Sequence, residues 1–137
     1  MIKQAIIPLA GLGTRMLPLS SVIPKELLPI NGKPNLEYIM EECLEAGIKE
    51  FIFIISKEKI NIKKYFFNDI FYKRIIKKKK DKRIINEFKK LKKYQKMIKF
   101  VYQNKPKGTG DAILKCQKYI KDNFFLILLP DDLIINK

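Results

Sequence analysis

Ile6-Ile7-Pro8-Leu9-Ala10-Gly11-Leu12-Gly13-Thr14-Arg15 decides how this chain is read. Gln4 to Leu9 is short and apolar, as a buried strand is, and it passes straight into a glycine loop that ends in an arginine. Lys25 follows within Pro24-Lys25-Glu26-Leu27-Leu28-Pro29. Glycines let backbone N–H groups approach an anion closely, and fixed cations offset its charge. Bare amides and two cations delivered to one place suit a nucleoside triphosphate. The loop is not a dinucleotide fingerprint, which has a third glycine, nor a P-loop, which needs Gly-Lys-Ser/Thr. Thr14 and Arg15 add a hydroxyl and a guanidinium suited to phosphate oxygens. Taken alone, Pro24-Lys25-Glu26 reads as a surface turn carrying a point cation.

Outward from this stretch, strands alternate with helices. Phe51–Ile55 (FIFII) is a second buried strand, Ile98–Gln103 a third, and Phe124–Leu129 a fourth that ends at Pro130-Asp131-Asp132. Residues 34–46 have Leu36, Ile39, Met40 and Cys43 on one helical face, with Gly47 just past the end. Lys57–Gln95 is helical, with an exposed turn expected at Lys77–Lys80. Thr109–Ile120 reads as one helix with Ala112, Ile113, Cys116 and Ile120 inward. Such alternation predicts an α/β, Rossmann-like fold, a largely parallel sheet flanked by helices. Ligands of such sheets bind beyond the carboxyl ends of the strands. Gly11–Arg15, the Gln103–Gly110 loop and Asp131-Asp132 all fall there.

Gln103 ends the third strand and offers a donor and an acceptor, as the edge of a pyrimidine requires; a side chain bonded to local backbone is the alternative. Lys107-Gly108-Thr109-Gly110 is a second glycine loop, opening a helix. Asp131-Asp132 is the clearest catalytic candidate, because a carboxylate at the carboxyl edge of the sheet can hold Mg²⁺, which takes one or two carboxylates and completes its shell with phosphate oxygens and water. Two aspartates solvated in a turn are the simpler alternative.

The 137 residues, 47% hydrophobic and 31% charged, are those of a globular chain with a real core. The most apolar run, Phe124–Leu129, is far short of the ~20 residues a membrane-spanning helix needs. No membrane partner and a cytoplasmic location are expected. Cys43 and Cys116 stand singly at apolar helical positions and read as buried structural thiols; the chain has no histidine. The net charge of +15 is concentrated: residues 57–99 hold 18 basic and 4 acidic side chains. Lysine outnumbers arginine 26 to 3, so the usual bidentate base reader is scarce. A solvated lysine-rich face is expected there, and nucleic acid is not expected as a partner.

Taken together, IPLAGLGTRMLP (Ile7–Pro18), IPKELLP (Ile23–Pro29), Gly32-Lys33-Pro34, the Gln103–Ala112 loop and LLPDDLI (Leu128–Ile134) resemble the bacterial UTP–glucose-1-phosphate uridylyltransferases, within the sugar nucleotidyltransferases. The resemblance covers essentially the whole chain. It implies that Ala10 and Gly11 contact base and ribose through the backbone, and that Gly13, Thr14, Arg15 and Lys25 hold the triphosphate. It further implies that Gln103 and Gly108 read the uracil, that Asp131 holds the catalytic Mg²⁺, and that Asp132 touches the ribose or orients its neighbour. Arg15 and Lys25 would be the catalytic cations. The implied substrates are UTP and glucose 1-phosphate, and the products UDP-glucose and pyrophosphate. Asp111 stands where the family usually has histidine, and an acid there is expected to point away from the polyphosphate.

Family members are considerably longer and use residues beyond the Asp131-Asp132 motif for the sugar phosphate. Residues 1–137 are therefore expected to be the nucleotide-binding part of a nucleotidyltransferase domain, with a Lys-rich helical segment at about 57–99. A second copy or a separate C-terminal half would be its partner. A non-catalytic UTP-binding remnant, or half of a split enzyme, is the alternative. A basic RNA-associated protein is a third reading, from another class.

Overall fold

The computed structural model describes residues 1–131. Its elements run β1 (Gln4–Pro8), β2 (Pro29–Ile30), β3 (Lys33–Pro34), α1 (Asn35–Glu45), β4 (Glu50–Ile55), α2 (Ile60–Phe66), α3 (Asp69–Lys79), α4 (Lys82–Met97), β5 (Ile98–Tyr102), α5 (Thr109–Lys115) and β6 (Leu126–Ile127). Two strands, β1 and β4, are apolar on both sides and lie at the centre of a four-stranded sheet of order β5-β4-β1-β6. All three pairings are parallel, with Ile6 opposite Ile52 and Ile127, and Phe53 opposite Phe100.

Side chains alternate across a strand, so each central strand feeds two cores. Ala5, Ile7, Phe51, Phe53 and Ile55 face α1, α2 and α4, meeting Leu36, Met40, Ile62, Phe66 and Leu91. Ile6, Ile52 and Ile54 face the other way, onto Ala112 and Cys116 of α5 and its continuation. Phe53 is fully buried and packs its ring against Phe66 and Phe100. Trimming such a ring to alanine costs about 3–5 kcal/mol. The α/β architecture with a parallel sheet is thus the expected one, and both cysteines are buried and free. Burial pushes each thiol up to about 11, as suits inert core groups.

Three elements depart from the sequence expectation. The helix starting at Thr109 ends at Lys115 and tightens into a 3-10 turn over Gln117–Tyr119. The Gln4 side chain explains this: its Nε2 donates to Tyr119 O at 3.0 Å and its Oε1 accepts from Lys121 N at 2.8 Å, drawing the segment onto the sheet. Lys77–Lys79 is not a turn but the last turn of α3; the break falls at Lys80, whose φ is 49°. Asp81 then caps α4, its Oδ1 accepting from Arg83 N at 2.8 Å and Ile84 N at 3.3 Å. The strand expected over Phe124–Leu129 pairs only at Leu126–Ile127, because β1 is its one neighbour among the described residues. Phe124 is 74% exposed.

The lysine-rich segment forms α2, α3 and α4 over one face of the sheet. Its apolar residues pack inward, and several of its lysines are paired with acids: Lys90 with Glu37 at 2.8 Å, and Lys92 with Asp69 at 2.7 Å. No described helix is long and apolar enough to cross a membrane.

Candidate functional site

In the order β5-β4-β1-β6 the chain leaves β1 toward β4 and later returns on the opposite side as β6. Crossovers therefore diverge from the β1–β6 pair, and the crevice beyond their carboxyl ends is where such sheets take ligands. The loops leaving β1 and β6 bound that crevice.

The loop after β1 is shaped by its glycines in two different ways. Gly13 has a φ of 65°, and a Cβ there would sit 3.3 Å from Ser20 Cβ, while Ser20 Oγ donates to Gly13 O at 2.7 Å. The fold itself requires glycine at that position. Gly11 has an ordinary backbone conformation, and a Cβ on it would meet nothing within 4 Å. Its missing side chain serves only the open space in front of it, so the bare backbone faces the cleft. Thr14 and Arg15 follow in a 3-10 turn over Thr14–Met16, both exposed. Arg15 makes no ion pair among the described residues.

Two cavities open along this edge. One, about 640 Å³, is lined by Gly13, Thr14 and Arg15 on one side and Asn35 on the other. The second, about 440 Å³, is lined by Ala10, Gly11, Gln103 and Gly108. Lys25, Glu26, Pro130 and Asp131 line both, so the cavities join there. At the junction Lys25 Nζ donates to Asp131 Oδ1. Nine of the ten residues singled out in the sequence thus border one continuous cleft; Asp132 lies outside the described residues.

Gln103 is 7% exposed, at the end of β5, and the sequence-based expectation for it needs correction. Its Nε2 is consumed internally, donating to Gly108 O at 3.1 Å and to Asp111 Oδ2 at 2.9 Å. Only its Oε1 is left for a ligand, so it is an acceptor and not a two-way reader. Asp111 turns toward Gln103, with Lys115 Nζ 4.0 Å away, and so does not aim at the phosphate end of the cleft.

Three further groups at this edge escaped the sequence reading as site candidates. Glu26 is 2% exposed; its Oε2 accepts from Lys59 Nζ at 2.8 Å, but its Oε1 has no partner. Asn35 donates to Pro130 O at 2.8 Å and leaves its own Oδ1 unpartnered, and Ser56 Oγ is likewise buried and unpartnered. Buried polar atoms without partners are rare in folded proteins, and three at one cleft mark it as a place completed by a ligand or water. Glu26 carried a visible signal, as an acid amid the apolar residues of IPKELLP; Asn35 and Ser56 carried none.

As for a metal, no cluster of three Asp, Glu, Cys or His capable of holding one occurs among the described residues. Asp131 offers a carboxylate that is 64% exposed at the cleft junction, with one oxygen engaged by Lys25. That donor set does not fit a protein-only cage. It fits Mg²⁺ arriving with a polyphosphate, held by one carboxylate and completed by phosphate oxygens and water.

The fold is an open parallel α/β sheet with glycine loops and two cations, Arg15 and Lys25, gathered at its carboxyl edge. The chain belongs to the nucleotidyl transferase family, whose model matches residues 4–137. Among curated relatives, the UTP–glucose-1-phosphate uridylyltransferase of Mycoplasma pneumoniae is 40% identical over 99% of this chain and 46% of its own length. That of Bacillus subtilis is 38% identical over 97% of this chain and 45% of its own length. Among solved structures, a UTP-bound UGPase from Acinetobacter baumannii superposes with a TM-score of 0.81 at 34% identity, covering 100% of this chain and 48% of that one. A UDP-glucose pyrophosphorylase complexed with UDP-glucose gives 0.75 at 33% identity, covering 100% of this chain and 48% of that one. The chain spans about half the length of the curated relatives it matches.

Proposed function

We propose that this chain is the nucleotide-binding part, residues 1–137, of a UTP–glucose-1-phosphate uridylyltransferase. The observation that carries the reading is the joined cleft, with Lys25 and Asp131 at the junction of the cavity bordered by Gln103 and Gly108 and the one bordered by Thr14 and Arg15. In the reaction a phosphate oxygen of glucose 1-phosphate attacks the α-phosphorus of UTP. The bond from that phosphorus to the oxygen bridging toward the β-phosphate breaks, and pyrophosphate leaves.

No protein nucleophile is needed, so the residues act by alignment and charge. Ala10 and Gly11 present backbone to the nucleoside, Gln103 Oε1 accepts from the base, and Gly108 borders it. Gly13, Thr14 and Arg15 hold the triphosphate. Arg15 and Lys25 offset the negative charge that grows on the departing pyrophosphate. Before nucleotide binds, Lys25 and Asp131 neutralise each other; a triphosphate gives Lys25 an anion of its own and releases Asp131. Mg²⁺, held by Asp131, supplies further charge neutralisation when bound. Asp132, next in the chain, is assigned to the ribose or to orienting Asp131, and the site belongs to a cytoplasmic enzyme.

The test is pyrophosphate release by the chain given UTP, glucose 1-phosphate and Mg²⁺, with Asp131→Ala as control. UTP binding without release is the expected result for this part by itself, and release that disappears in the control would show that it assembles a working site. Absence of both binding and release would overturn the site.

A further inference from the structure

We infer that Asp111 is a positioning residue that locks the Gln103 amide in one orientation, and that this lock makes the cleft select uracil over cytosine. The inference rests on the proposed base-binding role of Gln103. An amide side chain has two faces of opposite character, and the same space accepts either after a half-turn. A Gln free to turn therefore reads bases with N–H or with a lone pair at the contacted position, and discriminates little.

Here both hydrogens of Gln103 Nε2 are taken, one by Gly108 O at 3.1 Å and one by Asp111 Oδ2 at 2.9 Å. Both partners only accept. Turning the amide would set Oε1 against a carbonyl oxygen and a carboxylate oxygen at once, in a position that is 7% exposed and so poorly screened by water. Gly108 O is backbone and common to any side chain at position 111. The carboxylate is the contribution of this particular residue, and it is the stronger of the two because hydrogen bonds to charged acceptors are roughly twice as strong as neutral ones.

With the amide locked, Oε1 is the atom left for the cleft. Uracil carries N–H at N3 and donates to it. Cytosine carries a lone pair at N3, which would meet another lone pair, and its N4 amine lies where uracil has a carbonyl. Specificity then comes from a repulsive element against the wrong base as well as from a bond to the right one. Asp111 lies on α5 and does not line the cavity bordered by Thr14 and Arg15.

The experiment measures UTP and CTP affinity by calorimetry on the full chain and on Gln103→Ala, Asp111→Ala and Asp111→Asn. The unaltered chain is expected to prefer UTP by about tenfold or more, as sites built around a specific hydrogen bond do. Gln103→Ala should abolish the preference. Asp111→Ala should reduce it several-fold, chiefly through tighter CTP binding, because the amide can then turn. Asp111→Asn, which still offers an acceptor oxygen, should restore most of it. Asp111→Ser serves as a second shortening variant should the alanine form fail to fold. A full preference in Asp111→Ala alongside its loss in Gln103→Ala would overturn the lock alone. No preference in the unaltered chain, or one indifferent to Gln103, would overturn the base-site reading beneath it. Equal loss in Asp111→Asn and Asp111→Ala would replace the acceptor with a charge effect and overturn the lock as stated.

Discussion

Glu26 and Glu37 are buried almost equally, at 2% and 1% exposure, yet they are satisfied very differently. Glu37 lies beneath the lysine-rich helices, where Oε1 accepts from the Tyr65 hydroxyl and Oε2 from Lys90 Nζ at 2.8 Å. Glu26 lies at the cleft, where Lys59 occupies one oxygen and nothing occupies the other. The first carboxylate joins α1 to α2 and α4 and is complete. The second is held in readiness at an edge with two other unpartnered polar groups. The scaffold uses buried charge to fix a packing arrangement; the cleft leaves part of its polar capacity open. Burial and the Glu37 carboxylate push the Tyr65 phenol far above its ordinary value. Burial is the largest single influence on Lys90 and works to lower it, but the hydrogen bonds and charge attraction to Glu37 and Glu87 together outweigh it and hold the ammonium above its ordinary value.

The contrast is broken most severely by Lys59→Ala. It leaves Glu26 buried with neither oxygen partnered, and a loss of about 3–5 kcal/mol in chemical denaturation is expected. Lys90→Met should cost less, about 1–2 kcal/mol, because Glu37 keeps the Tyr65 hydroxyl. Equal losses in the two variants would erase the distinction between the sites. Lys90 also supplies a pH signature. Its folded pKa is raised, so its contribution is present below the unfolded value of 10.5 and is lost as pH climbs through the folded one. The difference in melting temperature between the unaltered chain and Lys90→Met should therefore begin to narrow as pH rises past 10.5.

Next in size, Arg15→Ala and Lys25→Ala should each weaken UTP binding by more than about 1 kcal/mol with little change in melting temperature. A stability loss with intact binding would make these cations part of the scaffold. The smallest effect belongs to Lys77–Lys80 replaced by alanine. Stability should move by less than about 0.5 kcal/mol, and UTP affinity should not move. Loss of nucleotide affinity there would join the helical layer to the cleft, against the separation of roles.

The central strands were legible because their apolar runs are continuous, and no other assignment buries Ile6 and Phe51–Ile55 at once. The helix over Asn35–Glu45 was equally plain from its one apolar face. The antiparallel hairpin of β2 and β3 went unread, although Asn31-Gly32 is a strong two-residue turn signal and both residues have positive φ. Asp81 was a readable cap hidden by the lysine run beside it. The end of α5 was not readable, because it depends on Gln4, more than a hundred positions away. In the cleft, residue types and their order were legible, while the one-sided character of Gln103 was not. That depends on which neighbours reach its amide.

The sequence by itself determined the layer architecture, the segments at the carboxyl edge and the chemistry they carry, because periodicity and residue type are local properties of the chain. The tertiary structure alone decided that Lys25 meets Asp131, that Glu26 keeps an open oxygen, and that Asp111 faces Gln103 and not the phosphate end. Each is a pairing across a fold in the chain, where hydrogen-bond geometry at a few ångströms assigns the role, and no spacing along the sequence encodes it.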